Sequence, residues 1–264
     1  MEKNEDLQTI DVKGLYVDMA GSRIYEMLWG DCIHPGGVED ARDLAKKAGI
    51  TKDQHVLDVC SGLGGPARCL VRDFGCRVTG MDLLEYQCEQ ATRRNREQGL
   101  DHLIEIHQGN AMEMPFPDAS FDVVWGQDGW CHVPDKGCVI AESARVIKPG
   151  GTIAFTDHLG TEQITDELQE LMRNMACPNL ETLAGYRRLL EQNGFSVLLQ
   201  EDLSVSMGED YAGCAERIRG EFREQLVREF GQEVFDGTCQ MMEMLANGIA
   251  QGQLGRGRFI ANKK

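Results

Sequence analysis

Short apolar runs alternate with amphipathic stretches through most of the chain, and that alternation predicts its elements. Residues 55–60 form a brief apolar run that stops at Ser61-Gly62-Leu63-Gly64-Gly65. A run this short, ended by glycines, reads as a buried strand of a parallel sheet. Residues 66–75 follow as a helix, opened by Pro66 and closed by Gly75; a proline costs little in a first turn because that N–H has no helical partner. The same reading gives a strand at 76–82 and a helix at 84–99 with acids early, arginines late and Gly99 at its end. Strands at 103–108 and 121–126 come next, then a helix at 136–147 stopped by Lys148-Pro149-Gly150-Gly151. A strand at 152–157, a helix at 183–195, a strand at 196–203 and a last strand at 256–264 complete the series. Strict alternation of this kind predicts an α/β fold, a doubly wound and mostly parallel seven-stranded sheet with helices on both faces. Ligands of such sheets bind beyond the carboxyl ends of the strands, so the loops after the strands are where chemistry is expected.

Residues 1–54, 158–182 and 205–250 fall outside the alternation. The chain divides on this reading into a lid and first helix (1–54), a binding core (55–204), a helical cap (205–250) and a final strand (251–264). The cap carries Met241, Met242 and Met244, which read as core packing or as a soft pocket lining.

Charge removes several classes. Lys plus Arg is 27 against 43 Asp plus Glu, a net charge of −16 over 264 residues. Phosphate backbones and anionic bilayers reward the opposite sign, so nucleic acid and membrane surfaces are not expected partners. No apolar run approaches a bilayer span, and the first residues lack the apolar core of a secretory signal. The ten cysteines include no two closer than seven positions, so no Cys-x-x-Cys motif exists. The expectation is a reduced cytoplasmic protein, monomer or homodimer, with cysteines serving as small core hydrophobes.

The glycine-rich turn after the first strand lets a backbone approach a ligand closely. By itself it is ambiguous, because Gly62-x-Gly64-x-x-Ala67 followed by Asp82 also satisfies a dinucleotide fingerprint. A nicotinamide-dependent oxidoreductase would, however, set Asp58 beside a pyrophosphate, which is unfavourable. Context favours another reading: Asp58 lies near the end of the first strand, Asp82 closes the second, residues 109–128 follow the third, and Lys148-Pro149-Gly150-Gly151 precedes the fifth. With these residues the chain resembles the class I S-adenosylmethionine-dependent methyltransferases, most clearly over 50–157. Tyr25-Glu26-Met27-Leu28-Trp29-Gly30-Asp31, the glycine turn, and Gln127-Asp128-Gly129-Trp130-Cys131-His132-Val133-Pro134-Asp135 resemble the small-molecule branch that contains sarcosine/dimethylglycine, phosphoethanolamine, tocopherol and sterol methyltransferases.

That resemblance implies a Rossmann-like methyltransferase fold, S-adenosyl-L-methionine as cofactor and S-adenosyl-L-homocysteine as product. It implies that Gly62 and Gly64 pass under the methionine part and that Asp82 holds the ribose hydroxyls. Leu83 would lie against adenine, Asn110 and Ala111 at the adenine edge, and Gln127 by the methionine end. Tyr25, Ile33 and His34 would close the cofactor from the N-terminal side. Cys60 stands where the family's first motif glycine is found, and Asn110 where an aspartate is usual; Cys is small and Asn keeps a hydrogen-bonding side chain.

An activated sulfonium methyl needs alignment more than it needs acid–base help. An amine acceptor must still be unprotonated, and His132 has the intrinsic pKa for that proton. In this branch a tyrosine of the N-terminal segment can lie against such a histidine, and Tyr16 is the matching residue. Asp128 would orient the substrate or the histidine. Asp157 and His158 face the site by topology. Tyr186 and Arg187 start a helix beneath the cap, where Arg187 reads either as a fork for a carboxylate or phosphate or as a solvated helix arginine. His55, His102 and His107 read as structural. No Asp/Glu/His cluster has metal-ligand spacing, so no metal is expected and metal-dependent O-methylation is disfavoured. The acceptor expected is a small molecule, an amine nitrogen of the glycine, sarcosine, dimethylglycine or phospho-base type; a larger apolar or isoprenoid C- or O-acceptor is the alternative.

Overall fold

The structure is a computed structural model that describes residues 21–264, with side chains from Arg23 onward. Its strands are β1 (His55–Val59), β2 (Arg77–Asp82), β3 (Ile104–Gln108), β4 (Phe121–Gln127), β5 (Ile147–Gly160), β6 (Phe195–Asp202) and β7 (Leu254–Lys263). They form one sheet in the order β3-β2-β1-β4-β5-β7-β6. β1 through β5 pair in parallel, and β7 runs antiparallel between β5 and β6. The α/β doubly wound, mostly parallel seven-stranded sheet expected from the alternation is present. The central strands are apolar throughout because both faces are covered: Val56, Leu57, Val59, Val123, Val124 and Trp125 are all buried.

The helices are α1 (Gly21–Trp29), α2 (Gly37–Ala48), α3 (Gly65–Phe74), α4 (Glu85–Glu97), α5 (Lys136–Val146), α6 (Asp166–Asn174), α7 (Leu183–Gln192), α8 (Ser204–Arg219), α9 (Arg223–Phe230) and α10 (Gln232–Ala250). One difference from the expected elements is informative. Lys148-Pro149-Gly150-Gly151 does not stand before β5 but lies inside it. The pairing of β4 with β5 jumps from Phe121 with Ile147 to Val123 with Thr152, and Gly150 takes a left-handed conformation. Pro149 removes a ladder donor where the ladder is already interrupted, so the strand tolerates it.

One apolar cluster lies on each face of the sheet. A third joins α1, α6 and α8–α10 through Tyr25, Leu28, Leu168, Met172, Tyr211 and Met242. Met242 is fully buried there and Met241 packs against the cluster, so these two methionines of the run serve this core. Burying such a side chain contributes about 1.5–3 kcal/mol. Eight of the ten cysteines are buried and all ten are free. No described helix is long and apolar enough to cross a membrane.

Candidate active site

From β1 the chain crosses to β2 and β3 on one side of the sheet and then returns to β4 and β5 on the other. The switch point therefore lies beyond Val59 and Gln127, the last residues of β1 and β4. The turn after β1 winds through Cys60, Gly62 and Gly64, all left-handed. Gly62 and Gly64 adopt that conformation freely, whereas Cys60 bears a cost of about 1–2 kcal/mol. Gly65 must be glycine for a different reason: a Cβ there would stand 2.3 Å from the Asp31 carbonyl oxygen. That close approach carries Cys32 and Ile33 to the glycine turn.

The result is a cavity of about 260 Å³. It is walled by Cys60, Ser61 and Gly62 after β1, by Asp82, Leu83 and Leu84 after β2, by Gly109–Met112 after β3, and by Gln127–Gly129 and His132–Pro134 after β4. Cys32 and Ile33 complete it. Three of its residues, Ile33, Cys60 and Asp128, hold left-handed backbone without being glycine, a strain of the kind that collects at functional sites.

Asp82 is held by the backbone. Gly62 N–H donates to its Oδ2 at 2.9 Å and Leu84 N–H to its Oδ1 at 3.0 Å. Each oxygen keeps a lone pair for a further donor. Asp58, at the base of the cavity, has no partner for its buried Oδ2. Burial, and then the charge of Asp82, push its carboxyl up to about 7. Ser61 Oγ and Gln127 Oε1 are likewise buried without partners. Unmatched buried polar atoms are costly in a finished protein, and these three line one cavity. They fit a polar ligand with donors and positive charge, as a sulfonium cofactor has.

His132 sits in a short helical turn, Trp130–His132, directly after β4. Its Nδ1 lies 3.1 Å from the Ala176 carbonyl oxygen. A carbonyl only accepts, so Nδ1 carries the proton and Nε2 the lone pair. Burial lowers the pKa of His132, but Cys131 and the Ala176 carbonyl outweigh it, and the net shift is upward.

The structure brings Ile33, Cys60, Gly62, Asp82, Leu83, Asn110, Ala111, Gln127, Asp128 and His132 to one cavity. Other predicted residues lie elsewhere, for identifiable reasons. Tyr25 packs in the cluster of α1 with the α8–α10 helices. Gly64 faces Arg68 and Ala91 rather than the cavity. His34 is buried with Nδ1 3.9 Å from Asp128. Asp157 is roofed over: Cys131 N–H donates to it at 2.9 Å and Tyr186 OH at 2.5 Å, which takes both residues out of the cavity wall. His158 reaches the Tyr211 hydroxyl at 3.2 Å and Asp128 at 3.6 Å. Arg187 is on the surface, paired with Glu191 at 2.9 Å, as the solvated-helix reading has it. Tyr16 lies outside the described residues.

Asp128 needs the clearest correction. Its carboxylate does not orient His132. Arg256 of β7 clamps it at 2.6 Å, Thr156 Oγ1 donates at 2.9 Å, and the same guanidinium reaches Asp40 at 2.7 Å. Burial raises the Asp128 carboxyl, but Arg256 more than reverses this and holds it below the usual range. Asp40 accepts from Gln127 Nε2 at 3.0 Å, and Arg258 ties Asp40 to Asp43 and Glu201. Neither Arg256 nor Asp40 was anticipated. The available signal was Gly255-Arg256-Gly257-Arg258, two arginines in a strand that is otherwise buried, which require acidic partners.

Comparison with known proteins agrees with this geometry. A methyltransferase-domain family model matches residues 57–155, from β1 into β5. The chain is 29% identical to a sarcosine/dimethylglycine N-methyltransferase of Halorhodospira halochloris, over 94% of this chain and 92% of that one. It is 38% identical to a sterol 24-C-methyltransferase of Eremothecium gossypii over 60% of this chain, but spans only 44% of that relative. Among solved structures, phosphoethanolamine N-methyltransferase 2 of Haemonchus contortus, in complex with phosphomonomethylethanolamine and S-adenosylhomocysteine, superposes with a TM-score of 0.88 at 25% identity. It covers 96% of this chain and 59% of its own.

Proposed function

We propose that the chain, whose residues 57–155 match a methyltransferase domain, is an S-adenosylmethionine-dependent methyltransferase that methylates the nitrogen of a small amine of the glycine, sarcosine and dimethylglycine type. The observation that carries this reading is the placement of His132 on the cavity wall with Nδ1 committed to Ala176. An amine attacks only through a free lone pair, and Nε2 is the atom that can take its proton.

When bound, the cofactor supplies an electrophilic methyl group on a sulfonium. Asp82 accepts from the ribose hydroxyls, Leu83, Asn110 and Ala111 border the adenine, and Gly62 and Gln127 flank the methionine part. Ile33 covers it. Asp58 offers its unmatched oxygen to positive charge. His132 receives the acceptor's proton, general-base work worth about 10²–10⁴-fold in rate. Tyr16, outside the described residues, is assigned to hold His132. Arg256 fixes Asp128 and thereby the turn that bears His132.

The charge of the wall bears on the acceptor. Asp58, Asp82 and Asp128 line it, and none of the described lining residues is Arg or Lys. A phosphorylated base, as a dianion, calls for more cationic donors than the single carboxylate of glycine, sarcosine or dimethylglycine, and that carboxylate would be met outside the described lining. The ten free cysteines support a reducing cytoplasm.

The test is S-adenosylhomocysteine release by the purified chain offered glycine, sarcosine, dimethylglycine, phosphoethanolamine and a sterol. Turnover with an unphosphorylated amine, lowered at least about 100-fold by His132→Ala with cofactor affinity retained, is the expected result. Turnover with the sterol alone would overturn it.

A further inference from the structure

Behind the cavity wall, two cysteines that methyl transfer leaves unused gather around His132. Sγ of Cys131, a ring nitrogen of His132 and Sγ of Cys177 all lie within 4.8 Å of one another. Cys177 Sγ is 3.4 Å from His132 Nδ1. Zinc bonds of about 2.3 Å to sulfur and about 2.0–2.1 Å to nitrogen, at tetrahedral angles, set such ligand atoms about 3.6 Å apart. The two cysteines come from separate loops, and the second is delivered by a strained backbone. Ala176 is left-handed, and that kink turns its carbonyl onto His132 while presenting Cys177 beside the ring.

We propose that Cys131, His132 and Cys177 form a binding site for a thiophilic divalent cation of the zinc type, and that filling it switches methyl transfer off. The donor set is two sulfurs and one imidazole, which favours zinc-like ions and disfavours magnesium and calcium, ions that prefer oxygen. His132 is shared by the cluster and the cavity wall, while Cys131 and Cys177 are buried behind it. A fourth position is left for water or for Asp157, whose carboxylate lies within 4.8 Å of Cys131 Sγ.

Binding balances as follows. The ion displaces one proton from each thiol, so two protons leave and two thiolate–metal bonds form. The imidazole stays neutral, but the ion occupies Nδ1, so the ring proton moves to Nε2. Nε2 thereby exchanges its lone pair for a donor. Inhibition in this form rests on His132 acting as the base; the site itself does not.

Two readouts separate these halves. Cobalt(II), added to the full chain in buffer free of thiol reductant, should give a thiolate-to-metal charge-transfer absorption saturating at one equivalent. Cys177→Ser and Cys131→Ser should lose it, and Cys138→Ser, at an exposed position, should keep it. Zinc should inhibit the unaltered enzyme reversibly on chelation, and Cys177→Ser should need at least about tenfold more zinc for the same inhibition. Magnesium should do nothing. An absorption that survives in both serine variants overturns the site. An absorption lost as expected, with activity indifferent to zinc, overturns the inhibition and counts against His132 as the base.

Discussion

Asp58, next to last in β1, and Asp128, just past β4, belong to neighbouring strands and line one cavity, yet they are treated oppositely. Asp58 has an unmatched oxygen, and its carboxyl is pushed up to about 7 by burial and then by Asp82. Asp128 is clamped by Arg256 and held below the usual range despite equal burial. The Asp58 carboxyl is thus left for a ligand to complete, while the Asp128 carboxylate is completed by the protein's own cation. One acid of the cavity is reserved for positive charge that arrives, and the other is fixed before anything arrives.

The comparison breaks most visibly at Arg256. Arg256→Ala leaves the buried Asp128 carboxylate without its cation, while Asp40 keeps Arg258, and removing one partner of such a buried pair costs about 3–5 kcal/mol. Urea unfolding should show a loss of that size, with Arg256→Lys in between. A loss under about 1 kcal/mol would mean the clamp is not structural.

A second prediction sharpens the β1 side. The folded Asp58 has a pKa raised from its ordinary value near 4 to about 7, so stability falls as pH rises from about 4 to about 7, where the unfolded carboxyl has ionised and the folded one has not, and levels off above that. Asp58→Asn removes that cost. The variant should gain most stability relative to the unaltered chain at pH 8, keep a smaller advantage at pH 5 and lose it by about pH 4, as thermal melts at the three pH values would show. A cationic cofactor favours the carboxylate, so its binding near neutral pH should release a proton. Calorimetry in buffers of different ionisation enthalpy should detect this in the unaltered chain and not in the variant.

The smallest effect is expected at Arg187. It is exposed and paired one turn away with Glu191, an arrangement worth about 0.3–0.5 kcal/mol. Arg187→Ala should leave the KM for any acceptor unchanged, and a rise would return this residue to the site.

These differences mark what the sequence could disclose. The β1 turn and Asp82 were readable because glycines and an acid at a strand end are local signals. Helical geometry already separates Tyr186 from Arg187, since successive helix residues diverge by about 100° and cannot share one wall. The Asp128–Arg256 pair was not readable, because its members are 128 positions apart and meet only through the antiparallel placement of β7. Asp157 faces the right end of the sheet, as expected, but the turn at Trp130–His132 covers it, and no local pattern announces a roof. The cysteine–histidine cluster escaped for a related reason. Two of its members are adjacent, but the third comes from a loop 45 positions on.

The position of β7 also sets an order of assembly. It lies between β5 and β6 but follows both in the chain. As the polypeptide is synthesised, β5 has an open edge and β6 has no neighbour until Leu254–Lys263 emerges. Open edges are templates for pairing with other chains. Asp128 and Asp40 meanwhile wait for a cation encoded 128 and 216 residues later. The β1 wall forms early from nearby contacts, and the β4 wall closes last, so a nascent chain holds half a pocket before it can hold a whole one.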